Sequence, residues 1–253
     1  MPEFSANLGF LWTELSLPDA IRAAKAAGFS AVECHWPYET DPGAVKAALD
    51  DTGLPMLGLN TSRGAPGENG LAALVGREAE ARAAIEEALG YATAIGASAV
   101  HVMAGFADGP KARAVFLGNL RYASARGADL GVDILIEPLN HYDAPGYFLQ
   151  TTDAARGIIA EVGSPNLKLM FDCYHVQIME GDVGRRMQEL SPIIGHIQIA
   201  AVPDRGEPDA GELNYGHVFD VIDQCKWARP VGAEYKPRGT STEDGLGWMA
   251  SPN

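Results

Sequence analysis

The sequence repeats one short pattern: a glycine that can end a helix, a brief link, a run of aliphatic residues and a polar residue. The pattern spans Gly28–Glu33, Gly96–His101 and Gly131–Glu137. Glycine is favoured just past a helix because it adopts the left-handed conformation without strain. Each aliphatic run predicts a buried strand of a parallel sheet. The repeat therefore predicts α/β units joined by right-handed crossovers.

Continuing this pattern along the chain predicts eight strands in 253 residues. Because (β/α)8 barrels have about 250 residues, we predict the α/β class, with a single (β/α)8 TIM barrel domain over residues 1–253. A doubly wound open sheet also suits the alternation, but no Gly-x-Gly-x-x-Gly follows the first predicted strand. The last outer helix is predicted to be short or missing, because Ser241–Asn253 holds a short helix at best.

Several predicted elements have definite bounds. They are strand Pro55–Asn60, helix Glu78–Ile95, helix Thr152–Val162, strand Leu167–Asp172 and a Gly-rich loop, Arg63–Gly70, that could act as a lid. Such a loop cannot pack densely, and loops at the mouth of a barrel commonly close over substrates.

The composition excludes some classes of partner. The net charge is −14, whereas nucleic-acid binding needs clustered Lys and Arg, so nucleic acid is not expected as a partner. No apolar run approaches the roughly 20 residues of a membrane span, and the N-terminus lacks the segments of a signal peptide. Three cysteines without a C-x-x-C pair favour a reducing compartment, so a soluble cytoplasmic protein is predicted.

Four consecutive late strands reach an oxygen-bearing side chain near their C-terminal ends. These side chains belong to Glu137, Asp172, Gln198 and Glu234. Three carboxylates at one barrel mouth would repel each other, by about 4 kcal/mol for a pair ~4 Å apart, unless a cation lay between them. Oxygen ligands suit Mg²⁺ or Mn²⁺ better than Zn²⁺, so the four residues are predicted to hold one of these ions.

Two of the four residues are also candidates for proton transfer. Glu137 and Glu234 lie on the fifth and eighth predicted strands, so they approach the ion from different sides and can exchange protons with adjacent substrate carbons. Asp172 is expected to act only as a ligand. Each residue also has an ordinary structural interpretation, because a single acid after a strand is usually solvated and a buried Gln often only satisfies backbone groups.

Further polar residues are candidates for substrate contacts. His175 lies in the loop beyond Asp172, and His101 points into the barrel if its strand alternates as written. His196 points inwards as well, but a hydrogen-bonded core histidine is the favoured interpretation there. Arg205 and Lys236 are the cations best placed to meet an anionic group, although either could be a surface charge.

At these residues the sequence resembles hydroxypyruvate isomerase and its relatives in the xylose-isomerase-like barrel superfamily. The motifs that carry the resemblance are EPLN (137–140), PGYFL (145–149), FDCYH (171–175), HIQIA (196–200), PDRGEPDAGELNY (203–215), GAEYKPRG (232–239) and TEDGLGW (242–248). The resemblance implies a metal-dependent isomerase of a short hydroxy-keto acid. The expected reaction converts hydroxypyruvate to tartronate semialdehyde (2-hydroxy-3-oxopropanoate) through an enediol.

The resemblance also implies residue roles. Glu137 and Glu234 match the acid/base pair of the family, and together with Asp172 and Gln198 they match its metal ligands. The substrate contacts of related ketose epimerases correspond here to His175, Arg205 and Asp143. Gly206 departs from the His or Asn that relatives often carry, which implies an altered substrate pocket. The short C-terminus bears on oligomer contacts, and the sequence leaves a homo-oligomer open.

Three other functions stay in view. A 2-oxo-tetronate isomerase, or a ketose 3-epimerase acting on a small neutral sugar, would use the same metal and carboxylates. An apurinic-site nuclease shares the barrel but needs several metal-ligating histidines and a basic groove, whereas this chain is acidic. A non-catalytic sugar-binding module would have no need of two acids flanking one cation.

Overall fold

The computed structural model describes residues 2–250. Its eight strands are β1 (Phe4–Asn7), β2 (Ala31–Glu33), β3 (Leu59–Asn60), β4 (Ala99–His101), β5 (Asp133–Ile136), β6 (Leu167–Asp172), β7 (Ile194–Ile199) and β8 (Val231–Ala233). All neighbouring pairs are parallel, in the order β2-β1-β8-β7-β6-β5-β4-β3. The strands therefore follow each other around the sheet in chain order, as a barrel requires.

The seam between β2 and the segment before β3 is bridged by three backbone hydrogen bonds. Val32 donates to the Pro55 carbonyl at 3.0 Å, Leu57 donates to Val32 at 2.8 Å, and Cys34 donates to Gly58 at 3.1 Å. The sheet thus forms a nearly closed barrel, and the predicted fold is confirmed. The third strand is shorter than the predicted Pro55–Asn60. Pro55 has no amide hydrogen to donate, so a regular ladder cannot begin there.

Eight α-helices connect the strands. They are α1 (Leu17–Ala26), α2 (Pro42–Thr52), α3 (Glu78–Ile95), α4 (Gly109–Leu130), α5 (Thr152–Val162), α6 (Cys173–Met179), α7 (Val183–Leu190) and α8 (Tyr215–Gln224). The predicted bounds of α3 and α5 are confirmed. Four helices end at glycines with φ between 68° and 76°, namely Gly53, Gly96, Gly131 and Gly163. That left-handed backbone explains the glycines that precede β3, β4, β5 and β6.

Up to residue 250, where the described chain ends, the C-terminal segment forms one 3₁₀ helix, Glu243–Ala250, in agreement with the predicted short helix. Its Trp248 packs edge-on against Phe4, with 4.7 Å between the ring centroids. This buried tryptophan therefore anchors the C-terminal segment against β1. Within residues 2–250, no helix combines the length and the hydropathy that crossing a bilayer requires.

The barrel interior differs from the layer between strands and helices. The layer between strands and helices is one large continuous apolar core. Among the strands of residues 2–250 there is one separate apolar cluster, formed by Ala99, Leu135 and Met170. Buried polar residues share the interior with that cluster, including Glu33 and His196. The interior is therefore polar towards the C-terminal strand ends, where α/β barrels carry their sites.

Candidate active site

The four predicted ligands lie at the C-terminal ends of neighbouring strands. Glu137 directly follows β5 and Glu234 directly follows β8. Asp172 ends β6, and its partner in the β6–β7 register is Gln198. All four side chains are buried, with at most 6% of each residue exposed. The sequence prediction that they share one edge of the sheet therefore agrees with the geometry.

A cavity of about 310 Å³ opens at these strand ends. It is lined by six of the nine predicted site residues: His101, Glu137, Asp143, His175, Arg205 and Glu234. Asp172 lies beside it, and Gln198 lines a smaller cavity inside the barrel. Lys236 is exposed and absent from the lining, with its Nζ 5.9 Å from the centroid of Phe10.

The Glu234 carboxylate is held by three donors. Oε1 accepts from Asn7 Nδ2 at 2.9 Å and lies 3.0 Å from His35 Nε2, while Oε2 accepts from Arg205 at 2.6 Å. Burial alone would raise the pKa of this carboxyl, but the Arg205 charge and the His35 hydrogen bond hold the pKa below its ordinary value. Glu234 is therefore ionised at neutral pH.

Glu137 has the opposite environment. Its Oε1 is buried without a hydrogen-bond partner in the described chain, and its nearest cationic candidates are His101 at 3.6 Å and His175 at 3.8 Å. Burial, followed by the charges of Glu234 and Asp172, raises the pKa of Glu137 well above its ordinary value. Without a cation, this carboxyl favours its protonated form.

Asp172 has two different oxygens. Oδ1 accepts from the Tyr174 amide at 2.8 Å and so caps α6, the short helix that sequence analysis missed. Oδ2 is buried and has no hydrogen bond in residues 2–250; it lies 3.6 Å from both His175 Nε2 and Arg205 Nη2. Burial raises the pKa of Asp172 to about 7, although Arg205 opposes the shift. The free oxygen faces the other carboxylates.

The hydrogen bonds of His175 fix which ring nitrogen carries the proton. Its Nδ1 accepts from the Asn140 backbone amide at 3.0 Å, with the Asn140 side chain 2.7 Å away. Burial lowers the pKa of His175 well below its ordinary value, so the ring is neutral and Nε2 carries the hydrogen. Nε2–H faces Glu137 and Asp172 as a donor and is not available as a metal ligand. Burial likewise lowers the pKa of His101 to about 4.

Arg205 is the main cation of the site. Its guanidinium lies 4.9 Å from the ring centroids of both Phe10 and Tyr174. Besides Glu234, it contacts Asp143 at 3.3 Å. The residue has φ of 56°, an uncommon conformation for a non-glycine residue that often marks a functional position. Arg205 is therefore committed to the carboxylates at the base of the cavity.

The donor set fits a divalent cation. Single oxygens of Glu137, Asp172 and Gln198 are buried and unpartnered within the described chain, each at a strand end. Glu137 and Asp172 each offer a carboxylate oxygen within 4.8 Å of the other, so their two carboxylates meet at this point. Gln198 directs Nε2 towards Glu33 at 3.4 Å, which leaves its carbonyl oxygen for another partner. Unpartnered buried oxygens are costly, and a hard cation such as Mg²⁺ or Mn²⁺ would satisfy them.

Sequence analysis missed several residues of this site. Asn7 and His35 bind Glu234, Glu33 contacts His196 Nε2 at 2.5 Å, and Arg63 lines the cavity. Their positions could have indicated them as site residues, because Asn7 and Glu33 end the first two strands and His35 follows Glu33 by two residues. Gly206 does not line the cavity: an added Cβ would lie 2.4 Å from Arg238 Nε. Gly206 therefore does not shape the substrate pocket by direct contact.

A parallel barrel with buried carboxylates at its C-terminal mouth is typical of TIM-barrel enzymes that act on small molecules. The family described as xylose isomerase-like TIM barrel matches residues 21–251, and the chain belongs to this family.

Individual relatives cover nearly the whole chain. A 2-oxo-tetronate isomerase from Cupriavidus necator is 48% identical over 98% of both chains, and a hydroxypyruvate isomerase from Escherichia coli is 40% identical over 98% of both. A crystal structure described as AP endonuclease, family 2, from Brucella melitensis superposes with a TM-score of 0.95, at 40% identity over 99% of this chain and 98% of that one. The chain is an enzyme of the isomerase class, as the sequence predicted.

Proposed function

We propose that this enzyme isomerises a short hydroxy-keto acid, converting hydroxypyruvate to 2-hydroxy-3-oxopropanoate, in a metal-dependent reaction. One observation carries the proposal: two buried glutamates, Glu137 and Glu234, face one small cavity in opposite electrostatic environments. Pairs of titratable groups whose environments separate their pKa values are the usual acid/base pairs of such reactions. The names of the relatives support the choice of substrate.

We assign the ion to Glu137, Asp172, Gln198 and Glu234, whose oxygens fit Mg²⁺ or Mn²⁺. When bound, such an ion acts as a Lewis acid that stabilises negative charge on the substrate oxygens. The four ligands have different further roles. Asp172 and Gln198 only bind the ion, whereas the two glutamates also face the substrate.

The proton transfers balance without any other reactant. Glu234, kept ionised by its donors, takes a proton from the hydroxymethyl carbon C3 of hydroxypyruvate, which gives an enediol. Glu137 returns a proton to C2, the former carbonyl carbon, while the hydroxyl proton moves from O3 to O2. The proton held by Glu234 then passes to Glu137 through solvent water, which restores both carboxyls for the next turnover. His175 lines the same cavity, and its buried Nε2–H faces Glu137 and Asp172, so it can donate to a substrate oxygen that reaches these carboxyls.

A 2-oxo-tetronate, one carbon longer, could react through the same enediol, and the Cupriavidus relative bears that name. A neutral ketose is a weaker candidate because it offers no charge to the arginines of the cavity. Cleavage at an apurinic site is disfavoured despite the description of the Brucella structure. The net charge of −14 and the acids lining the cavity would repel a phosphate backbone.

Proton NMR in D₂O tests the proposal directly. With Mg²⁺ added, the wild-type enzyme should exchange the C3 protons of hydroxypyruvate for deuterium and form the isomer. Glu137→Gln should lower turnover by roughly 1,000-fold, because proton transfer by a positioned carboxyl contributes about 10²- to 10⁴-fold. The matched control is Glu189→Gln, which makes the same change at an exposed helix position and should retain full activity. A fully active Glu137→Gln enzyme would contradict the mechanism.

A further inference from the structure

Two arginines line the cavity in the part of the chain that the structure describes, Arg63 and Arg205. A substrate carboxylate needs a cation whose charge is not already used. Arg205 contacts Glu234 at 2.6 Å, Asp143 at 3.3 Å and Asp172 at 3.6 Å, so acids of the enzyme already surround it. That leaves Arg63 as the cation of the lining that is available for an anionic ligand.

Arg63 lies in the Gly-rich loop, whose backbone is fixed at both ends. The Gly70 amide donates to the Arg63 carbonyl at 2.8 Å, which closes the loop. Gly70 has φ of +109°, and an added Cβ would lie 2.4 Å from the Met103 carbonyl oxygen, so only glycine allows this close approach. At the start of the loop, the Thr61 hydroxyl accepts from the Met103 amide at 3.0 Å. The loop thus holds Arg63 at the cavity instead of leaving it free in solvent.

The guanidinium of Arg63 rests on an aromatic platform. Its Cζ lies 4.6 Å from the centroid of Trp36. The indole is itself fixed, because Trp36 Nε1 donates to the Thr61 carbonyl at 3.1 Å. Stacking on an aromatic face leaves the edge of a guanidinium free for two parallel hydrogen bonds to a carboxylate.

Arg63 also lacks a carboxylate partner of its own. Within residues 2–250 its guanidinium makes no ion pair or hydrogen bond, and it stacks on the Trp36 ring. The acid of the same loop, Glu68, instead pairs with Arg77 and accepts from the Ala65 amide at 2.7 Å. An exposed, stacked and unpaired arginine at the edge of an otherwise acidic cavity is a ready anion site.

We infer that Arg63, supported by Trp36, binds the carboxylate of the substrate and thereby selects acids over neutral ketoses. This inference rests on the proposed function and adds the residue that recognises the substrate class. Arg63, Glu137 and Glu234 line the same cavity, so a substrate held by its carboxylate at Arg63 would have its carbonyl and hydroxyl carbons available to the two glutamates. Arg63 takes no part in proton transfer, so its loss should weaken binding and leave the chemical step intact.

Steady-state kinetics of Arg63→Ala with Mg²⁺ test the inference. The KM for hydroxypyruvate should rise at least about tenfold, with kcat within about twofold of wild type, because a charge-assisted pair to one end of the substrate is lost. Dihydroxyacetone, which replaces the carboxylate by CH₂OH, serves as a neutral competitor. Its inhibition constant should be the same for wild type and Arg63→Ala. Arg63→Lys should recover part of the affinity, because it restores the charge without the planar fork.

Arg185→Ala is the matched control, since it removes another exposed arginine that does not line the cavity and should leave KM unchanged. An unchanged KM in Arg63→Ala, or an equal loss of affinity for dihydroxyacetone, would overturn the role of Arg63 while the proposed function stands. A wild-type enzyme that does not isomerise hydroxypyruvate would instead contradict the proposed function itself.

Discussion

Glu137 and Glu234 occupy matching positions, each directly after a strand, yet their surroundings differ completely. Glu234 receives hydrogen bonds from Asn7 and Arg205 and contacts His35. Glu137 Oε1 has no partner in the described chain. The pKa of Glu234 is consequently lowered and that of Glu137 raised. The same residue type is thus ionised at one position and favours its protonated form at the other.

The order of strands around the barrel explains this difference. β8 pairs with β1, and β2 lies next to β1, so two of the three groups that contact Glu234, Asn7 and His35, come from the beginning of the chain. They bring amide and imidazole donors. β5 lies between β4 and β6, which bring a neutral histidine, His101, and another acid, Asp172. Burial raises the pKa of Glu137, the charges of Glu234 and Asp172 raise it further, and the neutral His101 ring supplies no charge that would oppose them.

Replacing Arg205 with Met should remove most of the asymmetry and gives the largest expected effect of these tests. Hydrogen bonds to charged groups contribute about 1.5–3 kcal/mol, so kcat/KM should fall roughly 100-fold. The pKa of Glu234 should rise towards that of Glu137. Because the base must be ionised, the acid limb of the pH profile of kcat/KM should move to higher pH.

Arg186→Met provides the control for that experiment. Arg186 also pairs with a buried acid, Glu180, at 3.0 Å, but outside the cavity lining. Its replacement should cost stability without moving the pH profile. If Arg205→Met lowered kcat/KM while the acid limb stayed in place, Arg205 would not be what keeps Glu234 ionised.

Metal binding should have its strongest effect on the protonation of the two carboxyls whose pKa is raised, Glu137 and Asp172. The pKa of Asp172 is raised to about 7 in the folded protein, so the fold binds this proton more tightly than the unfolded chain does. The metal-free protein should lose stability as pH rises from about 4 to about 7, on the order of 4 kcal/mol. Added Mg²⁺ replaces the proton, so the Mg²⁺-induced rise in Tm should be larger near pH 8 than near pH 5.

Differential scanning calorimetry across this pH range measures the effect. Asp172→Asn is the informative variant, because the amide keeps the size of the side chain and cannot titrate. Its Tm should change less with pH, and the difference between the Mg²⁺ responses at the two ends of the range should shrink. Equal Mg²⁺ responses of the wild type near pH 5 and pH 8 would mean that the ion does not compete with this proton.

Much of the fold could be predicted because local sequence and global structure agree there. The glycines after α3 and α4 mark the ends of these helices, and the predicted bounds of α5 and β6 are those of the structure. α6 was missed because Asp172 serves both as the last residue of β6 and as the cap of the helix, so no break separates the two elements. β3 was predicted too long because Pro55 and its neighbours are apolar like a strand but make only scattered hydrogen bonds.

The candidate site could be predicted only where the strand pattern points to it. Glu137, Asp172 and Glu234 end aliphatic runs, which marks them in the sequence. Asn7 and His35 are single polar residues near short strands, and their role depends on β8 lying beside β1. That neighbour relation is a property of barrel closure, which no local pattern encodes. The ion pairs of Arg205 with Asp143, Asp172 and Glu234 likewise form only because the fold brings distant segments of the chain together.

His35 offers a finer test of the same comparison, with the smallest expected effect. His35→Phe removes the 3.0 Å contact to Glu234 Oε1 but keeps an aromatic ring beside Phe10 and Trp36. Glu234 retains Asn7 and Arg205, so one lost donor should raise its pKa modestly and lower kcat about tenfold, or about 1.4 kcal/mol. His35→Gln can still donate and should recover part of the rate, as stopped-flow or NMR assays would show. If Phe and Gln at this position gave the same rate, packing rather than the hydrogen bond would be what His35 contributes. Glu234 would then owe its ionised state to Arg205 and Asn7 alone.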